Sequence, residues 1–145
     1  MRAGEIPLQR GEVDPAIYVF RDSLNGVLRL TYVALERKLV VAFANFVLCD
    51  PFEGEPCFNI GYAVPLAYRG QGRAKNLVMS AVAELREGLG RNGVAIFYVE
   101  AVVDVENVAS QRIAELTISS TSTAIMDAVS GNPALQYIRR IETSS

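Results

Sequence analysis

The chain has 145 residues, 50% apolar and 21% charged, with a formal net charge of -2. This is the balance of a soluble globular domain long enough to bury a core. It excludes wholesale attraction to nucleic acid or to an anionic membrane, so any basic site must be local. The absence of histidine removes the commonest general base and a common metal ligand, leaving carboxylates, tyrosine or water for proton chemistry.

The first residues, MRAGEIPLQRGEVDP, carry charges throughout and lack the apolar run of a secretory signal. Met1 to Pro15 show no period and are expected to follow the surface. The longest apolar run, KLVVAFANFVLC, is too short for a membrane span and suits a buried strand. The cytoplasm is the expected compartment, with no membrane or nucleic-acid partner. Cys49 and Cys57 flank DPFEGEP, a loop rich in turn formers. A disulfide across that hairpin is disfavoured by the low cysteine count and the missing signal.

Next come AIYVFRD, a short strand, and SLNG, a turn. VLRLTYVAL and LVVAFANFVLC are β-rich, with ERK turning one into the other, and DPFEGEP leads into CFNIGYAV. The first half therefore reads as an antiparallel meander of about four strands. After Arg73 the period changes. Ala74, Leu77, Val78, Ala81, Val82 and Leu85 recur at helical spacing, and GLGRNG is expected to end that helix with its glycines. VAIFYVEAVV is an apolar central strand. Asp104 is expected to cap VENVASQRIAEL, with Val108, Ile113 and Leu116 facing a core. The tail, TISSTSTAIMDAVSGNPALQYIRRI, reads as two strands separated by SGNP.

The order predicts a mixed α/β sheet in one domain spanning 1–145. The strand Cys57–Val64, the helix and the strand Val94–Val103 form a right-handed crossover, making those strands parallel neighbours.

Between that first strand and the helix lies AYRGQGRAKN, residues Ala67 to Asn76. Gly70 and Gly72 would let a phosphate approach the unpaired N–H groups of the helix N-terminus, while Arg69, Arg73 and Lys75 add positive charge. A plain turn needing positive φ accounts for the same glycines. No GK[ST] follows, so the stretch is not a nucleotide P-loop, and it lacks the third glycine of the dinucleotide fingerprint.

Arg69-Gly70-Gln71-Gly72-Arg73-Ala74 fits the pattern [Q/R]-x-x-G-x-[G/A]. Together with IGYAVPLAY before it and the Asn107-x-x-Ser110 of ENVAS after the next strand, it resembles the acyl-CoA-binding motif of the GNAT superfamily of N-acyltransferases. The likeness spans about Cys57 to Leu116 and is nearest the branch that acetylates protein N-termini, ribosomal proteins among them. It implies a mostly antiparallel sheet with one splayed parallel pair, and acetyl-CoA as cofactor. Backbone N–H groups of Gln71 to Ala74, with Arg69 and Gly70 beside them, would hold the pyrophosphate. Exposed backbone at Ala63 and Val64 would pair with the pantetheine arm. Asn107 would bind that arm or stabilise the first helical turn, and Ser110 would lie by the thiol or on a helix surface.

The chain departs from the family in two places. Ala114 stands where many members carry the tyrosine that protonates the departing thiolate, and Thr117 and Ile118 replace the usual Gly-Phe. The N-terminal lid helices are expected to be reduced or absent, because only a coil and one short strand precede VLRLTY. The acid is left to Ser110, water or another tyrosine. Glu100 is the candidate base, a charged residue on an apolar strand sharing a face with Tyr98 and Val102. An edge-facing or salt-bridged glutamate is the alternative. Tyr62 would bind substrate or pack, and Glu53 and Glu55 would be solvated loop residues. The implied function is direct acetyl transfer to an amine of a protein, peptide or small molecule. The competing readings are a CoA-binding or interaction protein without catalysis, and an α/β domain without CoA. Exposed C-terminal strands are candidates for pairing across a homodimer.

Overall fold

A computed structural model describes residues 9–64, 69, 70 and 72–143. Four antiparallel strands follow a two-residue edge strand, β1 (Gln9–Arg10): β2 (Ile17–Leu24), β3 (Val27–Glu36), β4 (Leu39–Phe52) and β5 (Glu55–Ala63). Each of the three hairpins joining β2 to β5 turns on two residues with positive φ: Asn25-Gly26, Arg37-Lys38 and Glu53-Gly54. That is the primed-turn geometry, whose twist matches the strands it connects. DPFEGEP is therefore not a seven-residue loop. β4 runs on to Phe52, and only Glu53 and Gly54 turn. The edge strand β1 likewise corrects the expectation of coil up to Pro15.

Helix α1 (Arg73–Arg91) buries Ala74, Leu77, Val78, Ala81, Val82 and Leu85, the face read from the period. Its four larger side chains contribute about 1.5–3 kcal/mol each relative to exposure. The helix ends within GLGRNG, as expected, though not at its first glycines. It runs through Gly88 and Gly90 and is closed by Asn92 and Gly93, whose N–H groups bond back to Leu89 and Gly90. Strand β6 (Ile96–Asp104), helix α2 (Val108–Thr117), strand β7 (Thr123–Met126) and strand β8 (Pro133–Glu142) complete the chain. The cap of α2 is Asn107, not Asp104. Asn107 Oδ1 accepts from Ser110 N at 3.1 Å, while Asp104 ends β6 and accepts from Glu106 N at 2.8 Å. Its buried face also differs from expectation: Ala114, Thr117 and the following Ile118 are buried, whereas Val108 and Leu116 are 67% and 58% exposed.

The eight strands form one sheet in the order β1-β2-β3-β4-β5-β6-β8-β7, in which only β5 and β6 run parallel. Both helices pack on one face, where Tyr32, Phe46, Phe58, Ile60, Phe97, Val99 and Ala101 join α1 and α2 in a single core. Phe58 and Phe97 meet edge to face at 6.3 Å. Strand alternation sends Thr31, Asn45, Cys57, Asn59, Tyr98, Glu100 and Gln136 to the other face, which no helix covers among the described residues. At one end of that face Phe52 packs on Tyr98 at 4.8 Å, and Tyr98 donates to Glu53 at 3.0 Å. Glu53 is thus engaged rather than merely solvated.

The segment Gly11 to Asp14, ahead of β2, is tied to α1. Glu84 accepts backbone N–H bonds from Glu12, Val13 and Asp14 at 2.9, 2.6 and 2.6 Å. Ser80 donates to Asp14 at 2.7 Å. A Cβ at Gly11 would lie 2.3 Å from the Asp14 carbonyl, so only glycine fits this close approach. Among the described residues no helix precedes α1, and none is long and apolar enough to cross a membrane.

Candidate active site

The chain leaves β5 and enters α1 through a glycine-bearing turn. Gly72 is the N-cap of α1 in the left-handed conformation, φ 72° and ψ 12°, with no side-chain cap bond and no acidic residue in the first turn. The first helical bond runs from Asn76 N to Gly72 O at 3.0 Å. The N–H groups ahead of Asn76 therefore lie outside the helical ladder, at the positive end of the helix dipole. A Cβ at Gly70 would meet nothing within 4 Å, and one at Gly72 only the Asn76 amide at 4.0 Å. Neither glycine carries a side chain that would keep an anion of phosphate size from these N–H groups.

The arginines here are turned to structural work. Arg69 Nε donates to the Val64 carbonyl at 2.9 Å, holding the turn against the end of β5, and Arg73 pairs with Glu36. Gln71, expected to contribute its N–H to the pyrophosphate, lies with Pro65 to Tyr68 outside the described residues.

The cleft begins where β5 and β6 part. They pair only at Cys57–Tyr98, Phe58–Val99 and Asn59–Glu100. Beyond that point β5 stays with β4 as far as Ala63, and β6 stays with β8 as far as Asp104. From Ile60 to Ala63, β5 has no strand partner on its β6 side among the described residues.

On the helix face α2 spans this gap. Tyr62 Oη donates to the Ser110 carbonyl at 2.7 Å, and Gln111 Nε2 donates to the carbonyls of Asp104 and Val105 at 3.1 and 2.8 Å. Burial raises the Tyr62 phenol to about 12, so it is a neutral donor. On the other face, at the last paired position, Glu100 accepts from Asn59 Nδ2 at 3.1 Å and from Gln136 Nε2 at 2.5 Å. It is not at an edge, because β6 is interior, and among the described residues its partners are two neutral amides rather than a cation.

The structure thus brings Tyr62, Asn107 and Ser110 together on the helix face and places Glu100 on the opposite face of the same cleft. Gly70, Gly72, Arg73 and Ala74 stand at the start of α1. Asn59 and Gln136 escaped the sequence reading. Polar residues alternating with apolar ones along their strands are the available signal, but their convergence on Glu100 depends on register. Cys49 and Cys57 are register partners and free thiols. Among the described residues no cluster of acidic or thiol side chains is arranged to hold a metal.

Residues 6–116 match the model of the acetyltransferase (GNAT) family. The chain belongs to the GNAT family of acetyltransferases. No curated protein matches it. Among solved structures it is similar to RimL, a ribosomal L7/L12 α-N-protein acetyltransferase in complex with coenzyme A, at 17% identity and TM-score 0.60 over 80% of this chain and 64% of that one. An aminoglycoside acetyltransferase, AAC(6')-Ib in complex with coenzyme A and kanamycin, aligns at 16% identity and TM-score 0.58, covering 77% and 66%. The NatC complex bound to Gag peptide and coenzyme A aligns at 21% identity and TM-score 0.54, covering 77% and 70%. At these identities the likeness is one of fold, and the chain spans just under two thirds of the length of the first two.

Within this GNAT chain the four-strand antiparallel meander β2 to β5 and the single parallel pair β5–β6 are those expected from its sequence, whereas the place of β8 between β6 and β7 is not read from it. Ala114, in the place of the usual tyrosine, is fully buried.

Proposed function

We propose that the chain is an acetyl-CoA-dependent N-acetyltransferase acting on a primary amine in the cytoplasm, with its 145 residues forming one acyltransferase domain. One observation carries this reading: α1 begins at Gly72 with no side-chain cap bond, and the strand before it has an edge with no strand partner from Ile60 to Ala63 among the described residues. These two features suit the two ends of one ligand, a pyrophosphate and an amide-bearing arm. Backbone N–H groups at Gly72, Arg73 and Ala74, with Gly70 giving clearance, would hold the pyrophosphate. The backbone at Ala63 and Val64 would pair with the arm, although the Val64 carbonyl is already engaged by Arg69. Asn107 spends its oxygen on the cap, which leaves its amide nitrogen for the cofactor.

Bound acetyl-CoA supplies the acyl thioester. A protonated amine has no lone pair to attack it, so the chain must first take a proton away. Glu100 accepts that proton at the apex of the cleft, directly or through water, and Ser110 holds one at Oγ on the helix side. Tyr62, its hydroxyl committed to Ser110, fixes α2 against β5 rather than touching the acceptor. Transfer is direct, without an acyl-cysteine, since burial pushes both the Cys49 and Cys57 thiols up and away from the thiolate form. The open sheet face and the likeness to RimL and NatC support a protein α-amine as acceptor.

The test is thiol release from acetyl-CoA with peptide and alkyl amines, alongside calorimetry of acetyl-CoA binding. Glu100→Gln should cut turnover about 100-fold or more with cofactor affinity unchanged. Binding without thiol release would favour the second reading, a GNAT scaffold that holds CoA without transfer, for which the alanine at 114 speaks. No binding sinks both.

A further inference from the structure

Gly61 is the one glycine inside a strand among the described residues. It has no positive φ, so its backbone conformation does not call for glycine. A Cβ there would meet nothing within 4 Å, so internal packing does not call for it either. Glycine weakens a strand, and inside one it often marks a place where something else comes close.

Its surroundings say what that is. Gly61 lies on the face that no helix covers among the described residues, opposite Asn45 on β4 and next but one to Asn59 on its own strand. It is exposed, and its other flank is the gap that opens immediately past the Asn59–Glu100 pair. Asn45 is held by Thr31, whose hydroxyl donates to Asn45 Oδ1 at 2.7 Å. Asn59 is held by Glu100. The missing side chain thus leaves a trough of bare backbone at Gly61, beside the fixed amide of Asn45 on β4, two residues along β5 from the fixed amide of Asn59, and near a carboxylate that has no cation partner among the described residues. A negative charge at the end of an open groove attracts a cationic group.

We infer that Gly61 is a specificity-determining residue that forms the floor under the acceptor amine, its missing side chain being the room the acceptor occupies as it reaches Glu100. This rests on the transferase reading. Opposite the trough, Tyr62 and α2 cover the helix face over this part of the gap, so the acceptor enters from the other face, while acetyl-CoA would lie toward the N-terminus of α1.

The test compares wild type, Gly61→Ala and Gly61→Val, using n-butylamine and the peptide amide Ala-Ala-Ala-NH2 as acceptors. Valine favours a strand, so Gly61→Val should melt no lower than wild type. Its kcat/KM for either amine should fall at least 10-fold through KM, with acetyl-CoA affinity by calorimetry within twofold of wild type. Gly61→Ala should fall between the two, and it serves alone if the valine variant fails to fold. Unchanged acceptor kinetics in a folded variant would overturn the inference. So would a matching loss of acetyl-CoA affinity, which would assign the trough to the cofactor. A wild type that binds acetyl-CoA but acetylates neither amine overturns the transferase reading, and this inference with it.

Discussion

Replacing Gly72 separates backbone geometry from charge at the α1 N-terminus. Its φ of 72° and ψ of 12° lie in the left-handed region, so any other residue costs about 1 kcal/mol there. Gly72→Ala and Gly72→Glu share that cost and should both melt about 3 °C lower than wild type. They differ in the carboxylate. About 5 Å from a phosphate, one unit charge repels another by about 0.8 kcal/mol at the dielectric of water and about 3.3 kcal/mol at an effective value near 20. The glutamate variant should therefore bind acetyl-CoA between about 4-fold and about 250-fold more weakly than the alanine variant. Calorimetry at low salt reads the difference, and added salt should narrow it. Equal affinities in two variants of equal stability would mean that no phosphate sits at this helix end.

The carboxylate of Glu84 collects three backbone N–H groups, so Glu84→Ala should cost about 2 kcal/mol after allowance for solvent at this partly exposed site, and Glu84→Gln about half that. Denaturant unfolding measures the loss, and amide exchange at Glu12 to Asp14 should quicken in the alanine variant; unchanged exchange there would refute the tether. Alkali should also act through the buried phenols and thiol. Burial raises Tyr62 to about 12 and also raises Tyr32 and Cys57. The unfolded chain releases these protons first, so the associated stability is complete below the ordinary thiol and phenol values and drains away as pH climbs through the folded ones. The melting temperature should fall steadily above about pH 9, and Tyr62→Phe should lessen the slope between about pH 10 and 12; an identical slope would argue against burial of that hydroxyl.

Periodicity made α1 legible, because one face of six residues is what it buries. The same logic misled at α2, where the large residues Val108 and Leu116 point to solvent and the small Ala114 and Thr117 let the helix lie close to the sheet. Thr117 satisfies its buried hydroxyl locally, on the Ile113 carbonyl at 2.7 Å. Two helical glycines looked like a stop signal, yet Gly90 is where Thr143 presses against the helix, and a Cβ would come within 3.2 Å of it. The glycine turn ahead of α1 was legible because it is written in consecutive residues. Asn59 and Gln136 lie 41 and 36 residues from Glu100. Nothing local in either strand announces that meeting; strand register alone creates it.

The three-residue pairing of β5 with β6 also divides the sheet mechanically. On one side stand hairpins built from near neighbours in sequence, and on the other a β6-β8-β7 ribbon. Between the strands the junction is a seam of three positions, reinforced by the α1 crossover and by the Tyr62 and Asn59 side chains. A ligand that lays an amide-bearing arm along the free edge of β5 would supply the backbone bonds the seam lacks. It would act as a temporary ninth strand. Loading the cofactor should therefore join the two halves into one cooperative unit, and its departure should leave them free to breathe separately.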